Sequence, residues 1–254
     1  MATDEELVEL QETLYTSSNP TRRWLHCIRR EWITDALHRY ANPESREAGT
    51  ALEVGPGSGV YLPLLADLFQ SVYGSDIEDA YLKHAHTLLN KVSNLSLFVD
   101  DITGSKLPED LFDLILCTEV VEHIPDSQAA ITQMHRLLKP GGVLVLSTPQ
   151  RYSPLEILSK IAFLPGIIQL VRLIYQEPIL YSGHINLMTE TQVIKQLEAA
   201  GFRIVEHHKS GMYLPMIAEF TGVHGLRLEQ FLEKFIHKGP FDWLLWTQYY
   251  IAKA

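Results

Sequence analysis

The sequence predicts an α/β protein in which helices cover both faces of a mostly parallel sheet. Short apolar segments with the composition of buried strands alternate with segments of helical length along most of the chain. The strand-like segments occupy residues 50–54, 71–76, 95–100, 112–118 and 142–148. A glycine-rich turn follows the first of them directly, at the edge of a parallel sheet where ligands usually bind.

The regions around this alternating pattern define the domain organisation. Residues 4–16 and 20–41 have helical character and precede a polar linker, which indicates an N-terminal helical cap over residues 1–49. The main domain then covers residues 50–254. Within it, residues 150–187 are rich in Leu and Ile and interrupted by prolines, so we expect an inserted helical lid there.

The alternation of helix and strand returns after this segment. TETQVIKQLEAAG predicts a helix in which Thr189 and Gln192 have capping-box spacing and Gly201 terminates the last turn. The strand FRIVEHH follows it. A helix over residues 228–238 and a final strand, LLWTQYYIAKA, complete the predicted domain.

The composition is that of an ordinary globular chain with an acidic surface. The 254 residues are 46% hydrophobic and 20% charged, with a formal net charge of −10 and a pI near 5.5. Because an acidic surface repels phosphate backbones, nucleic acid is a poor partner. The two cysteines, Cys27 and Cys117, form no paired motif, which favours a reducing, cytoplasmic environment. The acidic N-terminus does not resemble a signal peptide, and no transmembrane segment is predicted.

A glycine turn follows the first strand in LEVGPGSG, residues 52–59. Gly55, Gly57 and Gly59 lack the G-x-G-x-x-G spacing of dinucleotide-binding loops, and many α/β domains carry such a turn for structural reasons alone. Glu53 precedes the turn, where a carboxylate would repel a pyrophosphate but suits a ligand with a positive centre and an ammonium group. S-adenosylmethionine has both, so the turn favours this cofactor.

Acidic residues also end the second and third strands. Asp76 can accept hydrogen bonds from two ribose hydroxyls, and Asp101 can accept one from an adenine amino group. Either residue could instead be a turn or helix-capping residue. Three acids at three successive strand ends favour the cofactor site.

Five motifs, in their order along the chain, resemble those of the Rossmann-like S-adenosylmethionine-dependent methyltransferases. They are ALEVGPGSG, GSD, VDDITGSKLPEDLFDLILCTEVVEHIPD, LLKPGGVLVLSTP and LEAAGF. The resemblance covers roughly residues 50–150 and 185–208. It implies a methyltransferase with a Rossmann-like sheet of seven mostly parallel strands, in which an antiparallel last strand lies between the fifth and the sixth.

The resemblance also implies which residues hold the methionine part of the cofactor. Gly55, Gly57 and Gly59 would line it, and Thr118 would lie beside its amino group. Some relatives place an N-terminal arginine on the cofactor carboxylate, and the candidates are Arg22, Arg23, Arg29 and Arg30.

The adenosine part would meet two strand ends. By the same resemblance, Asp76 would hold the ribose and Ile77 would lie against the adenine. Asp101 and the backbone amide of Ile102 would bind the edge of the adenine ring.

The fourth strand is followed by CTEVVEHIPD, residues 117–126, which brings three chemically active side chains together. If Glu119, Glu122 and His123 form one helical turn, their spacing puts all three on one face. His184 precedes the helix that leads to the sixth strand, so it can fold back over the same strand ends. Two carboxylates and two imidazoles suit Mn²⁺, Fe²⁺ or Zn²⁺, whereas Mg²⁺ would bind mostly through the carboxylates and water.

This set of residues resembles the metal site of the small-RNA 3′-terminal 2′-O-methyltransferases and the corresponding residues of ubiquinone-pathway O-methyltransferases. A divalent metal held by Glu119, Glu122, His123 and His184 would lower the pKa of a bound hydroxyl and orient a vicinal diol. The alternative is metal-free, because relatives that need no metal also carry E-x-x-E-H. His184 or His123 would then be the catalytic general base.

The apolar lid predicts a small hydrophobic or aromatic acceptor. The resemblance to ubiquinone-pathway O-methyltransferases implies that this acceptor carries a hydroxyl group, and hence O-methylation. Two other interpretations of this segment are ordinary packing of helices and a membrane-surface helix that collects a lipid-soluble substrate through peripheral contact. Two rival functions stay open as well. One is an N- or C-methyltransferase with a metal-free pocket lined by histidine, and the other is a cofactor-binding module without catalysis.

Overall fold

Seven strands form one sheet in the computed structural model, which describes residues 14–41, 44–164 and 184–254. The strands are β1 (Thr50–Val54), β2 (Ser71–Asp76), β3 (Leu95–Val99), β4 (Phe112–Thr118), β5 (Leu138–Pro149), β6 (Arg203–Met212) and β7 (Leu245–Lys253). Their order is β3-β2-β1-β4-β5-β7-β6, and β7 is antiparallel to both of its neighbours. The predicted Rossmann-like α/β fold, including the insertion of the last strand between the fifth and the sixth, is confirmed.

Nine α-helices surround this sheet in the described residues. They are α1 (Pro20–Tyr40), α2 (Ser45–Ala48), α3 (Leu62–Leu68), α4 (Asp79–Leu88), α5 (Ser127–Leu137), α6 (Pro154–Ala162), α7 (Glu190–Ala199), α8 (Pro215–Thr221) and α9 (Val223–Ile236). Short 3-10 helices cover Leu14–Thr16, Ile102–Gly104, Val121–His123 and Asp242–Leu244. None of the described helices is both long and apolar enough to cross a membrane.

The two faces of the sheet bury two different apolar layers. On one face, Ile115 and Leu144 pack with residues of α5 and α7, among them Ile131 and Val193. On the other face the neighbouring strand positions pack with α1, α3 and α4. Because successive side chains of a strand point to opposite faces, this alternation requires helices on both sides, as the apolar strand segments predict.

Helix boundaries follow local capping signals. The side chain of Asn19 accepts hydrogen bonds from the amides of Thr21 and Arg22, and Pro20 occupies the first helical position of α1. At α7, Thr189 and Gln192 form the predicted capping box, and Gly201 adopts a φ of 99° just beyond the helix. The predicted helix over residues 20–41 is confirmed with its end one residue earlier.

Other predicted segments differ from the structure or lie outside the described residues. Strand β5 begins at Leu138, four residues before the predicted start, because Leu138 already pairs with Phe112 of β4 before a register shift. The C-terminal helix starts at Val223 rather than at residue 228. Most of the helix predicted over residues 4–16 lies outside the described residues, as do residues 165–183 of the predicted lid. The described part of that lid contains α6.

The glycine turn after β1 brings the backbone close to the segment that follows β4. Gly55 has a φ of 64°, and its amide donates a hydrogen bond of 2.8 Å to the carbonyl of Ser75. A Cβ atom at Gly55 would lie 2.6 Å from Cγ2 of Val120. Both the left-handed backbone and the lack of space therefore require glycine at this position.

We expect Gly55→Ala to lower the free energy of unfolding by about 1–3 kcal/mol, because alanine is strained at this φ and would collide with Val120. Urea denaturation measures the change. The matched control is Gly104→Ala, where a Cβ atom would meet nothing within 4 Å. Equal and small effects of the two substitutions would contradict this account of the turn.

Candidate active site

A cavity of about 360 Å³ opens at the carboxyl ends of β1 and β4. Its wall combines the glycine turn with residues from the segment after β4, from helix α1 and from the start of β7. His184, which lies 61 residues after His123 in the chain, also lines it. The strand ends thus bring together residues from most of the predicted site, as expected for a parallel sheet.

Glu53 is buried in the wall of this cavity, with 1% of its surface exposed. Its Oε2 atom has no hydrogen-bond partner among the described residues. Burial raises the pKa of this carboxyl group to about 8, because the charged form loses its solvation. A buried carboxyl group without a hydrogen-bond partner favours the binding of a cationic ligand, which would supply the missing partner.

Asp76 and Asp101 occupy the predicted strand ends. The carboxylate of Asp76, at the end of β2, accepts a hydrogen bond of 3.0 Å from the amide of Glu78, and burial raises its pKa. Asp101 caps the 3-10 helix Ile102–Gly104 and accepts hydrogen bonds from the amide and hydroxyl of Thr103. It therefore fills the helix-capping role that the sequence left open, and its adenine contact stays a prediction.

The two apolar residues beside these acids differ in exposure. Ile77 is 64% exposed, next to the place predicted for the adenine ring, whereas Ile102 is buried. Thr118 lines the cavity at the end of β4, together with Gly55 and Gly57. Gly59 lies after these two, at a φ of 76°.

Glu119 does not share a helical turn with Glu122 and His123, so this part of the sequence prediction is wrong. Its φ of 55° turns the chain before the 3-10 helix Val121–His123 begins. The carboxylate of Glu119 is bound by the guanidinium of Arg29 at 2.7 Å and by the hydroxyl of Ser147 at 2.9 Å. The left-handed residue directs the side chain toward Arg29 of α1.

The remaining three predicted metal ligands do come together. Glu122, His123 and His184 each offer a ligand atom, and these atoms lie within 4.8 Å of one another. Glu122 is fully buried, and burial with the neighbouring carboxylate of Glu119 raises its pKa well above the usual range. One of its oxygens accepts a hydrogen bond from Thr148, whereas the other has no hydrogen-bond partner among the described residues and lies 4.0 Å from Nε2 of His123.

Backbone hydrogen bonds hold His184 in this position. The amides of Ile185 and Asn186 donate to the carbonyl of Glu122 at 3.0 and 2.9 Å. The rings of His123 and His184 meet edge to face with their centroids 5.2 Å apart. The predicted return of His184 to the strand ends is therefore seen in the structure.

Helix α1 contributes a buried cation to the cavity. Of the four arginines proposed for the cofactor carboxylate, Arg29 is the one that lines it, and its side chain is bound to Glu119. Arg22 pairs with Glu219 instead, Arg23 donates to the carbonyl of Ser17, and Arg30 stacks over Tyr15. The guanidinium of Arg29 also contacts Nδ1 of His26, whose pKa is lowered by burial and by this positive charge.

A residue that the sequence analysis missed lies behind His184. The carboxylate of Glu156, 3% exposed, is 3.1 Å from Nδ1 of His184 and accepts a 3.1 Å hydrogen bond from the indole of Trp246. The available signal was SPLE at residues 153–156, which reads as a helix start with a capping box. That pattern explains an acid at this place without any role in the cavity, and only the tertiary structure joins it to His184.

Comparison with known proteins identifies the class of protein that this fold and cavity belong to. A family model described as a methyltransferase domain matches residues 24–207. The chain belongs to this family of methyltransferases. The predicted enzyme class is thus confirmed.

The similar proteins differ in the reactions that their names describe. The ubiquinone biosynthesis O-methyltransferase of Pseudomonas paraeruginosa is 37% identical over 105 residues, which cover 40% of this chain and 45% of the relative. The match therefore spans less than half of that relative's length.

Two solved structures show the fold alone. The N-methyltransferase NodS of Bradyrhizobium japonicum, in complex with S-adenosyl-L-homocysteine, has a TM-score of 0.58 at 19% identity and covers 98% of this chain and 95% of its own. The [4+2]-cyclase SpnF also has a TM-score of 0.58, at 17% identity over 87% of this chain and 79% of its own. A shared fold thus does not fix the reaction.

We expect Glu53→Gln to make the cofactor-free protein more stable than the wild type at pH 9 but not at pH 5. The raised pKa of Glu53 means that the folded state binds a proton that the unfolded chain releases above pH 4.5. Stability from this group is therefore present at low pH and is lost as the pH rises through about 8.

Urea denaturation at pH 5 to 9 measures this difference, which is on the order of a few kcal/mol, since one pKa unit is worth about 1.4 kcal/mol. The control is Glu47→Gln, at an exposed position on α2. Parallel pH profiles for the wild type and Glu53→Gln would contradict a buried, protonated Glu53.

Proposed function

We propose that the protein transfers the methyl group of S-adenosylmethionine to a hydroxyl group of a small hydrophobic or aromatic acceptor, with His184 as general base. The observation that carries the proposal is a histidine in the cavity wall whose Nδ1 atom is held by a buried carboxylate. This arrangement leaves Nε2 for a proton of the acceptor. The relatives named as O-methyltransferases support oxygen as the acceptor atom.

The reaction balances in one step. The acceptor oxygen attacks the methyl carbon, the carbon–sulfur bond breaks, and its electron pair stays on the sulfur of S-adenosylhomocysteine. The hydroxyl proton passes to Nε2 of His184, and the resulting imidazolium is paired with Glu156 at 3.1 Å. Because the donor is already activated, the main tasks of the protein are to align the two reactants and to accept this proton.

The cofactor would lie along the strand ends. Its ammonium group would meet Glu53 and Thr118, and Gly55, Gly57 and Gly59 would allow the methionine part to approach the backbone. The unpartnered carboxyl oxygen of Glu53 in the cavity wall supports this orientation.

The adenosine part would extend over the ends of β2 and β3. Asp76 would bind the ribose, and the exposed side chain of Ile77 would cover the adenine. The edge of the adenine would meet Asp101 and the amide of Ile102.

Replacement of Asp76 by alanine should weaken binding of S-adenosylhomocysteine about 10- to 100-fold, because each lost hydrogen bond to a charged acceptor is worth about 1.5–3 kcal/mol before water compensates. Titration calorimetry measures the dissociation constant. Asp76→Asn should lose less, since the amide oxygen can still accept a hydrogen bond. Asp67→Ala, exposed on α3, serves as the control, and affinity equal to that of the control would place the ribose elsewhere.

The acceptor would lie on the side of the cavity closed by residues 150–187, which we propose as a lid. Helix α6 lies in the described part of this segment and exposes Ile157 and Ile161, and Leu164 is exposed just beyond its end. Exposed apolar side chains next to a cavity favour a hydrophobic acceptor. Residues 165–183 lie outside the described residues, so the lid itself stays a prediction from the sequence.

A divalent metal at Glu122, His123 and His184 is a second candidate for the activation of the hydroxyl. The three ligand atoms lie close enough to share one ion, and the unpartnered oxygen of Glu122 fits this role. Glu119 does not fit it in this structure, because Arg29 and Ser147 hold its carboxylate. A metal bound there would lower the pKa of a coordinated hydroxyl.

The experiment that tests the proposed function follows methyl transfer from labelled S-adenosylmethionine to a panel of catechols, phenols and amines. We expect methyl ethers of the phenolic compounds, and we expect His184→Gln to lower kcat about 100- to 10,000-fold, the usual contribution of a general base. His86→Gln, exposed on α4, is the matched control and should leave kcat unchanged.

Treatment with excess chelator separates the two means of activation. Full activity after chelation, with Glu122→Gln still active, supports the metal-free base. Loss of activity that returns with one added metal ion supports the metal instead. Methylated amines without methyl ethers would favour an N-methyltransferase, and cofactor binding without any product would favour a binding module without catalysis.

A further inference from the structure

We propose that Glu156 is the positioning residue of the active site, which fixes the tautomer of His184 so that Nε2 faces the cavity without a proton. This inference rests on the proposed function, since it assigns the group that prepares His184 to accept a proton. It also names a purpose for helix α6, which carries Glu156 at the start of the segment predicted to cover the acceptor.

The local sequence alone predicts a different role for Glu156. Ser153 caps α6 and Glu156 is its third residue, the position from which a glutamate normally bonds the amide of the capping residue. In the structure that amide donates to the carbonyl of Gln150 at 3.2 Å instead. The carboxylate of Glu156 is thereby free to point to His184 and Trp246.

If the carboxyl group of Glu156 is ionised, the hydrogen-bond chemistry leaves one arrangement of protons. The indole nitrogen of Trp246 can only donate, so it occupies Oε1 of Glu156 as a donor at 3.1 Å. An ionised carboxylate can only accept, so the 3.1 Å contact at Oε2 requires a proton on Nδ1 of His184. In the neutral ring, Nε2 then carries no proton and is the acceptor.

Burial of Glu156 and His184 favours this arrangement of protons over hydrogen bonds to water. The side chains of Glu156 and His184 are 4% and 13% exposed, so water competes weakly for either oxygen of the carboxylate. A glutamine at position 156 would have one oxygen for two N–H donors. If the oxygen stays with Trp246, the amide NH₂ faces Nδ1 of His184 and favours the opposite tautomer, with the proton on Nε2.

The competition of two N–H donors for one glutamine oxygen can be tested with a second substitution that removes one of the donors. In the Glu156→Gln variant, Nε2 should carry the proton and kcat should fall about 100-fold, within the range of a lost general base. In Glu156→Gln with Trp246→Phe, the indole donor is gone, so the glutamine oxygen can turn to His184 and restore the tautomer. The double variant should therefore recover most of the kcat of Trp246→Phe alone, which is its reference.

The direct readout is ¹⁵N NMR of the imidazole nitrogens at pH 8.5 in chelator-treated protein, with the signals of His184 assigned by their loss in His184→Gln. Transfer of label to catechol gives kcat and KM, and calorimetry with S-adenosylhomocysteine shows whether the cofactor site is intact. We expect a proton on Nδ1 in the wild type, on Nε2 in Glu156→Gln and again on Nδ1 in the double variant, with unchanged cofactor affinity.

A wild-type tautomer with the proton on Nε2 would overturn the proposal, as would a double variant no more active than Glu156→Gln despite intact cofactor binding. The NMR result does not depend on turnover. If the wild type methylates no hydroxyl compound, the proposed function fails, while the tautomers still decide whether Glu156 orients His184.

Discussion

Charge compensation at the carboxyl edge of the sheet is the constraint on which the rest of this site depends. Glu53, Glu119 and Glu122 all line one cavity, where burial penalises a negative charge. Among the described residues that line it, Arg29 is the one arginine or lysine, and it is bound to Glu119. The pKa values of the other two carboxyl groups, Glu53 and Glu122, are raised by burial. The cofactor-free cavity is thus prepared for a cation, which is what a sulfonium donor with an ammonium group supplies.

The same constraint explains why the N-terminal helix contributes to the wall of the cavity. Arg29 reaches the cavity from α1, and its guanidinium lies 5.6 Å from the ring centroid of Trp246 in addition to its contact with Glu119. Trp246 in turn donates to Glu156, which holds His184. One continuous set of contacts therefore links the helical cap, the fourth strand, the last strand and the segment after the fifth strand. The N-terminal helix thus contributes a buried charged side chain to the wall of the cavity.

The sequence predicted the sheet, and the strand ends at which the cavity opens, because apolar periodicity and glycine spacing are local properties. It failed at Glu119, where helical spacing suggested a shared face, because a left-handed residue and a distant arginine decide the direction of that side chain. It also missed Glu156, because a capping-box pattern is a sufficient local explanation for a glutamate there. The return of His184 could be predicted from the edge of the sheet to which it leads. Its partner could not, since that contact forms only between elements far apart in the chain.

The proposed reaction keeps the charge of the cavity constant while its position changes. Before transfer, the positive charge is on the sulfonium of the donor, near the carboxyl groups of the first and fourth strand ends. After transfer, the sulfur is neutral and the acceptor proton has made His184 cationic, beside the carboxylate of Glu156. In the proposed reaction the imidazolium of His184 would thus be formed beside a buried carboxylate and would not have to be stabilised by water. In the proposed arrangement Glu53 would lie on the cofactor side, so a second carboxylate would compensate the charge that has moved to the acceptor side.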